Sequence, residues 1–215
     1  MYRALLFDLD GTLAETDSLH LPTWVDVLQP YGMEVDEGFY KESISGRSNS
    51  KILEDLLPDL SAEEGQKLAD AKEASFRERA GELEPLPGLL DFMQEGKSRG
   101  LSLALVTNAP EENVEAILLA LELAELFDEV VLSDEVGPVK PDPAPYKAAL
   151  AKLGVSPEEA IAFEDSTSGI ASSVAASIPT VGITSTQEPE TLEEAGAFMT
   201  AKDFTDPQLR KFFNR

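Results

Sequence analysis

Four apolar runs, RALLFD (3–8), LSLALVT (101–107), EVVL (129–132) and AIAFE (160–164), are each too short for a helix and are bounded by polar or turn-forming residues. Runs of that length without polar alternation read as strands buried on both faces. PTVGI (179–183) is a weaker fifth run. Helical stretches punctuated by Gly, Pro or Asn separate them, over 88–99, 110–124 (PEENVEAILLALELA), 142–153 and 166–177. The alternation predicts an α/β fold: a Rossmann-like parallel sheet with helices on both faces and right-handed crossovers.

The first strand breaks the rhythm. No clear strand follows it until EPLPGLL, and residues 15–84 carry helical patterns instead: LHLPTWVDVLQPYG, then SKILEDLLPDL opening after Ser48 to Ser50, then SAEEGQKLADAKEASFRERA. The last of these starts on a Ser-x-x-Glu capping box, Ser61 with Glu64. The expected organisation is a core of residues 1–14 and 85–215 with a small α-helical domain, 15–84, inserted after the first strand. Its hinges fall near Leu13 to Asp17 and Gly81 to Leu86, where a glycine and prolines punctuate the chain.

Composition narrows the partners. Forty-one acidic against seventeen basic residues give a net charge of −24, a field that repels nucleic acids and anionic membranes. An anionic substrate must then be drawn in by local cations working against that field. Without cysteine there is neither a disulfide framework nor a thiolate metal site. The N-terminus runs into Asp8 too early for a secretory apolar region, and no apolar run reaches the ~18 residues of a membrane span. A cytoplasmic monomer is expected, since no exposed apolar helix face stands out.

Ligands of parallel α/β sheets bind beyond the carboxyl ends of the strands. There the sequence places Asp8 and Asp10 after the first strand, Thr107 and Asn108 at the end of the second, and Glu164 and Asp165 at the end of the fourth. Lys140, in GPVKPDP, precedes the next helix. Singly these residues are unremarkable: Asp165 or Asn108 would serve equally well as a helix cap, Thr107 would bond its own backbone, and Lys140 would be a solvated loop lysine. Jointly they are four carboxylates and one lysine on one edge, which repel unless a cation sits among them, and hard oxygen ligands suit Mg²⁺. Proline chemistry also leaves Lys140–Pro141 open to the cis form.

In order and at strand ends, DLDGT (8–12), Thr107 in LVTNA, Lys140 in VKPDP and FEDS (163–166) resemble the four motifs of the haloacid dehalogenase superfamily, in the branch with a helical cap after the first strand. The resemblance covers nearly the whole chain. It implies a Mg²⁺-dependent phosphatase of small phosphate monoesters: Asp8 as the nucleophile that becomes an aspartyl phosphate, and Asp10 as the acid and base for leaving alcohol and attacking water. The ion would be held by Asp8, the Asp10 backbone carbonyl and Asp165, with Glu164 acting through water. Lys140 would supply a second positive charge, and Thr107 and the backbone N–H of Asn108 would cradle the phosphoryl oxygens.

Within the family the layout is similar to sugar phosphate phosphatases and β-phosphoglucomutase-like proteins. Thr16, His20, Trp24 and Lys72 resemble cap or hinge positions there. His20 and Trp24 share a helix face, but a Trp in a small bundle is ordinarily core, and Lys72 fits a solvated face equally well. A phosphomutase needs a second phosphate grip, and where the mutase carries a lysine and an asparagine after its second strand this chain has Pro110 and Glu111. In SGRSNS, Asn49 occupies the position of the mutase's gripping arginine, leaving Arg47 as a candidate substrate contact. Hydrolysis is therefore favoured over the mutase reaction. A receiver-like phospho-acceptor module is the third reading, disfavoured by Asp10 and the cap, which hasten loss of the acyl phosphate and select small molecules.

Overall fold

The computed structural model describes residues 2–214. They divide into two compact units, Thr16–Glu82 and the remainder of the described chain. The latter is built on a six-stranded parallel sheet, β1 (Ala4–Phe7), β2 (Ser102–Thr107), β3 (Glu129–Leu132), β4 (Ala160–Glu164), β5 (Thr180–Ile183) and β6 (Met199–Ala201), in the order β3-β2-β1-β4-β5-β6. The first five strands follow the expected runs. β6 was not anticipated, because three edge residues carry too little apolar pattern to register as a strand.

The unit Thr16–Glu82 is wholly helical in its regular structure, with α1 (Asp17–Leu28), α2 (Glu37–Ser43), α3 (Asn49–Leu56) and α4 (Ala62–Arg79). Three of the four starts have a local cause. The Asp36 and Ser48 side chains cap α2 and α3, and α4 opens on the Ser61–Glu64 capping box. α3 stops at Leu56, short of the sequence expectation, because Pro58 disfavours helix in the residue before it. Trp24, Leu28, Tyr40, Ile44, Ile52, Leu53 and Ala69 form this unit's own core. The reading of Trp24 as core is the one the fold adopts.

In the sheet unit the connecting helices are α5 (Leu89–Ser98), α6 (Glu111–Ala120), α7 (Ser133–Val136), α8 (Ala144–Leu153), α9 (Thr167–Ala175) and α10 (Pro189–Glu194). α6 ends before the expected residue 124, since Glu122 takes a left-handed φ of 56° and Leu123 N–H returns to the Leu118 carbonyl. Strand alternation divides the core in two. Ala4, Leu6, Ala104, Val106, Ala160 and Ala162 face Tyr146, Ala149 and Leu150 of α8. Residues of the opposite parity face an aromatic layer in which Phe7 stacks on Phe163 at 5.0 Å and Phe92 of α5 meets Phe163 edge-on at 5.3 Å. Burial on both faces explains why the strands read as unbroken apolar runs.

β1 is central, with Ala4–Phe7 paired to Ser102–Leu105 on one side and to Ala160–Phe163 on the other. The strand order reverses between β1 and β4, and the crevice of such a sheet opens at the carboxyl ends of those two strands.

Candidate active site

The residues that leave β1 and β4 are Asp8 to Asp10 and Glu164 to Asp165. Asp8 N–H donates to the Phe163 carbonyl at 3.0 Å, extending the ladder by one residue and fixing the Asp8 side chain at the strand tip. The chain then turns back on itself, with Leu13 N–H on the Leu9 carbonyl and Gly11 N–H on the Ala14 carbonyl, both at 2.8 Å. Gly11 has a φ of +70°, and a Cβ there would lie 2.1 Å from Asp165 Oδ2. Only glycine meets both requirements.

Asp8, Glu164 and Asp165 are buried, and each offers a carboxylate oxygen within 4.8 Å of the other two. Lys140 is buried against them, its Nζ donating to Asp8 Oδ1 at 2.5 Å, Glu164 Oε1 at 2.6 Å and the Val106 carbonyl at 2.7 Å. All three ammonium protons are thereby assigned. The peptide bond Lys140–Pro141 is cis. Asn108 holds this segment, its Oδ1 accepting from Lys140 N–H at 3.1 Å and its Nδ2 donating to the Lys140 carbonyl at 3.4 Å. Its side chain is thus committed to Lys140. Thr107 is buried, and its Oγ1 accepts from Ala109 N–H at 3.0 Å, the backbone bond expected of a strand-end Thr, which leaves the hydroxyl proton to be donated elsewhere.

Sequence reasoning missed three residues. Tyr146 of α8 donates to Glu164 Oε1 at 2.5 Å, Thr186 donates to Asp165 Oδ2 at 2.5 Å and to its carbonyl at 3.1 Å, and Ser185 donates to the Gly11 carbonyl. Tyr146 shares the inward stripe of Ala149 and Leu150, so its pattern signals only core; Thr186 lies in a loop whose path no local pattern sets.

The electrostatics follow from crowding. Burial and then the Glu164 carboxylate push Asp8 well above the ordinary carboxylate range, against the pull of Lys140. Burial likewise raises Asp165, to about 8, against the Thr186 hydrogen bond and with help from Glu164 and Asp10. For Lys140 burial acts downward, but Asp8 and Glu164 outweigh it and keep the ammonium firmly protonated.

The donor set fits a hard divalent cation. Glu164 Oε2 is buried with no partner among the described residues. Gly169, in the first turn of α9, supplies the space for this carboxylate, since a Cβ there would lie 1.8 Å from Oε2. A cation would relieve the like-charge repulsion that raises Asp8 and Asp165. Asp10 lies near enough to raise both of them.

The remaining predicted residues belong to the helical unit. Lys72 is buried, with only 2% of its surface exposed, and so is not on the solvated face offered as its alternative. Its Nζ contacts His20 Nδ1 at 2.9 Å and Glu73 Oε1 at 3.0 Å and lies over the Trp24 and Phe76 rings. Van der Waals cover from two rings accounts for burial of a residue whose helix is otherwise charged. His20 stacks on Phe76 at 4.2 Å, and Thr16 is buried just before α1. Asn49 Nδ2 donates to Glu73 Oε1 at 2.5 Å. Arg47 is ion-paired with Asp55 and donates to the Ser43 carbonyl at 2.8 Å.

A family model described as haloacid dehalogenase-like hydrolase matches residues 5–183. The chain is 30% identical over 212 residues to validoxylamine A 7'-phosphate phosphatase of Streptomyces hygroscopicus subsp. limoneus, covering 96% of each. It is 31% identical over 205 residues to phosphorylated carbohydrates phosphatase of Thermotoga maritima, covering 93% of this chain and 94% of that one. Among solved structures it is similar to CbbY from Rhodobacter sphaeroides in complex with phosphate, with a TM-score of 0.82 and 30% identity over 96% of each chain. No helix among the described residues is long and apolar enough to cross a membrane.

Proposed function

The chain belongs to the haloacid dehalogenase-like hydrolases, and on that premise we propose that it is a Mg²⁺-dependent phosphatase of a small phosphorylated metabolite, a sugar phosphate or a phosphoglycolate-like ester. The observation that carries the reading is the meeting of the Asp8, Glu164 and Asp165 carboxylates with the Lys140 ammonium at the strand-order reversal. Two relatives, one named as a validoxylamine A 7'-phosphate phosphatase and one as a phosphorylated carbohydrates phosphatase, support a small phosphorylated metabolite as substrate.

In this reading Asp8, Asp165 and the Asp10 carbonyl would hold the cation, and Glu164 would act on it through water. When bound, it offsets the carboxylate charge and that of the phosphoryl oxygens, so that an anionic nucleophile can approach an anionic ester. An Asp8 oxygen attacks phosphorus, the bond to the ester oxygen breaks, and Asp10 gives that oxygen its proton. Asp10 then takes a proton from the water that attacks the aspartyl phosphate, releasing inorganic phosphate and restoring Asp8. Lys140 holds Asp8 aligned and supplies fixed positive charge. The Thr107 hydroxyl and the Asn108 backbone N–H receive the phosphoryl oxygens. This local charge answers the problem set by a net charge of −24.

Residues 15–84 act in this reading as a cap that chooses the substrate, with Thr16, His20, Lys72 and Arg47 as candidate contacts. The protein works as a cytoplasmic monomer. The mutase alternative needs a second phosphate grip, and Asn49, which stands where the mutase has its gripping arginine, is instead hydrogen-bonded to Glu73. That pairing favours hydrolysis. The test is phosphate release from p-nitrophenyl phosphate and a panel of sugar phosphates, with and without Mg²⁺. Steady Mg²⁺-dependent turnover lost in Asp8→Asn supports the reading; a single stoichiometric burst, or conversion of β-glucose 1-phosphate to the 6-phosphate, overturns it.

A further inference from the structure

Within the carboxylate cluster, the oxygens of Glu164 are treated unequally. Oε1 accepts from Lys140 Nζ at 2.6 Å and from the Tyr146 hydroxyl at 2.5 Å, while Oε2 has no partner among the described residues. Tyr146 is fully buried, and its ring also covers Lys140, whose Nζ lies 5.2 Å from the ring centroid. One side chain therefore touches both members of the Glu164–Lys140 pair, with its polar end on one and its face on the other. We propose that Tyr146 is a positioning residue for the cation site: its hydroxyl occupies Glu164 Oε1 and so keeps Oε2 as the oxygen that the carboxylate offers to an incoming cation or its water.

The chain's own economy of donors and acceptors supports this. Lys140 has no proton left beyond those on Asp8, Glu164 and Val106, so the second lone pair of Oε1 cannot be filled from it. Without the Tyr146 hydroxyl, Glu164 is free to turn its other oxygen toward the ammonium, and the carboxylate loses its fixed orientation. Outer partners of this kind typically change metal affinity or activity by about 10–100-fold. The inference rests on the cation-dependent reading above.

Tyr146→Phe removes the hydroxyl and leaves the ring over Lys140; Tyr146→Met, which also lacks the hydroxyl, serves should the first variant be poorly folded. Mn²⁺ is titrated into the full-length protein without substrate, free Mn²⁺ being counted by electron paramagnetic resonance, alongside thermal melting of the metal-free forms. The expected result is one tight equivalent in the wild type, weakened by about tenfold or more in the variant, with a metal-free form that still unfolds cooperatively, its melting temperature lowered by no more than loss of one hydrogen bond to a charged group accounts for, and an unchanged KM at saturating Mg²⁺. Wild-type Mn²⁺ affinity in a folded variant overturns the role of Tyr146 and leaves the phosphatase reading standing. Absence of a tight equivalent in the wild type itself overturns the cation reading and the inference with it.

Discussion

Lys140 Nζ meets Asp8 Oδ1 at 2.5 Å although the two residues are 132 positions apart in the chain. The same ammonium bridges to Glu164, so one cation stands between two buried carboxylates. Lys140→Met removes that charge while keeping the apolar stem. Breaking a buried pair from one side costs about 3–5 kcal/mol, because the partner charges stay behind. A lowered melting temperature is expected together with loss of phosphatase turnover, and Lys140→Arg does not rescue it, since a planar guanidinium cannot place single protons on Asp8, Glu164 and the Val106 carbonyl. Wild-type turnover in Lys140→Arg would show that any positive charge suffices.

Gly169 and Gly65 make a matched comparison. Both lie in helices where Ala is favoured over Gly by about 1 kcal/mol. At Gly65 of α4 a Cβ meets nothing within 4 Å, and Gly65→Ala is expected to stabilise by about that amount. At Gly169 the same Cβ lies 1.8 Å from Glu164 Oε2, on a carboxylate that Lys140 and Tyr146 hold in place. Overpacking costs about 1–3 kcal/mol and exceeds the helix gain. Thermal melting of the two variants, with phosphate release measured in parallel, should move in opposite directions; activity at wild-type level in Gly169→Ala would mean that Glu164 can leave its place without consequence.

How far the site was legible depends on how each residue acts. Asp8, Asp10, Thr107, Glu164 and Asp165 could be placed because a strand end is visible in sequence and parallel strands bring their ends to one edge. Lys140 could be placed because it lies between the third strand and the next helix. Tyr146, Thr186 and Ser185 could not, since each works through a contact that exists only once the sheet is assembled, on residues 18, 21 and 174 positions away. In the helical unit the pattern was ambiguous for Lys72, because a charged helix face says nothing of the Trp24 and Phe76 rings that bury one lysine among its solvated neighbours. β6 escaped notice for the plain reason that three residues hold almost no periodicity.

Thr186 serves Asp165 as Tyr146 serves Glu164, through one hydroxyl on one carboxylate oxygen, at 2.5 Å. Thr186→Val keeps the shape and removes the donor. Hydrogen bonds to charged groups contribute about 1.5–3 kcal/mol, and its loss strips Asp165 of the larger of the two interactions that oppose its upward shift, leaving Lys140. The variant is expected to need several-fold more Mg²⁺ for half-maximal turnover, with kcat at saturating Mg²⁺ little changed. A Mg²⁺ titration of activity checks it, and an unchanged midpoint would exclude Thr186 from the cation site.

Far from the strand tips, Asp128 ties three elements together: Oδ2 accepts from Leu103 N–H of β2 at 2.8 Å, Oδ1 from Lys97 Nζ of α5 at 2.7 Å, and its own N–H donates to the Leu103 carbonyl just ahead of β3. Partial burial acts to raise this carboxyl, but the Lys97 and Leu103 hydrogen bonds outweigh it and hold it below the ordinary range. Because the folded value is the lower one, its contribution to stability is complete above the unfolded carboxylate pKa of about 3.9 and disappears as pH falls through the folded value. With 40% of the side chain exposed, solvent screening reduces the contribution to about 1 kcal/mol or less. Urea denaturation of wild type and Asp128→Asn should therefore show a gap of that order at pH 7 that closes as pH drops below about 4. Added salt should shrink the Lys97 share and spare the amide share. A gap that stays constant down to acid pH would place the stabilisation in the shape of the side chain and not in its charge.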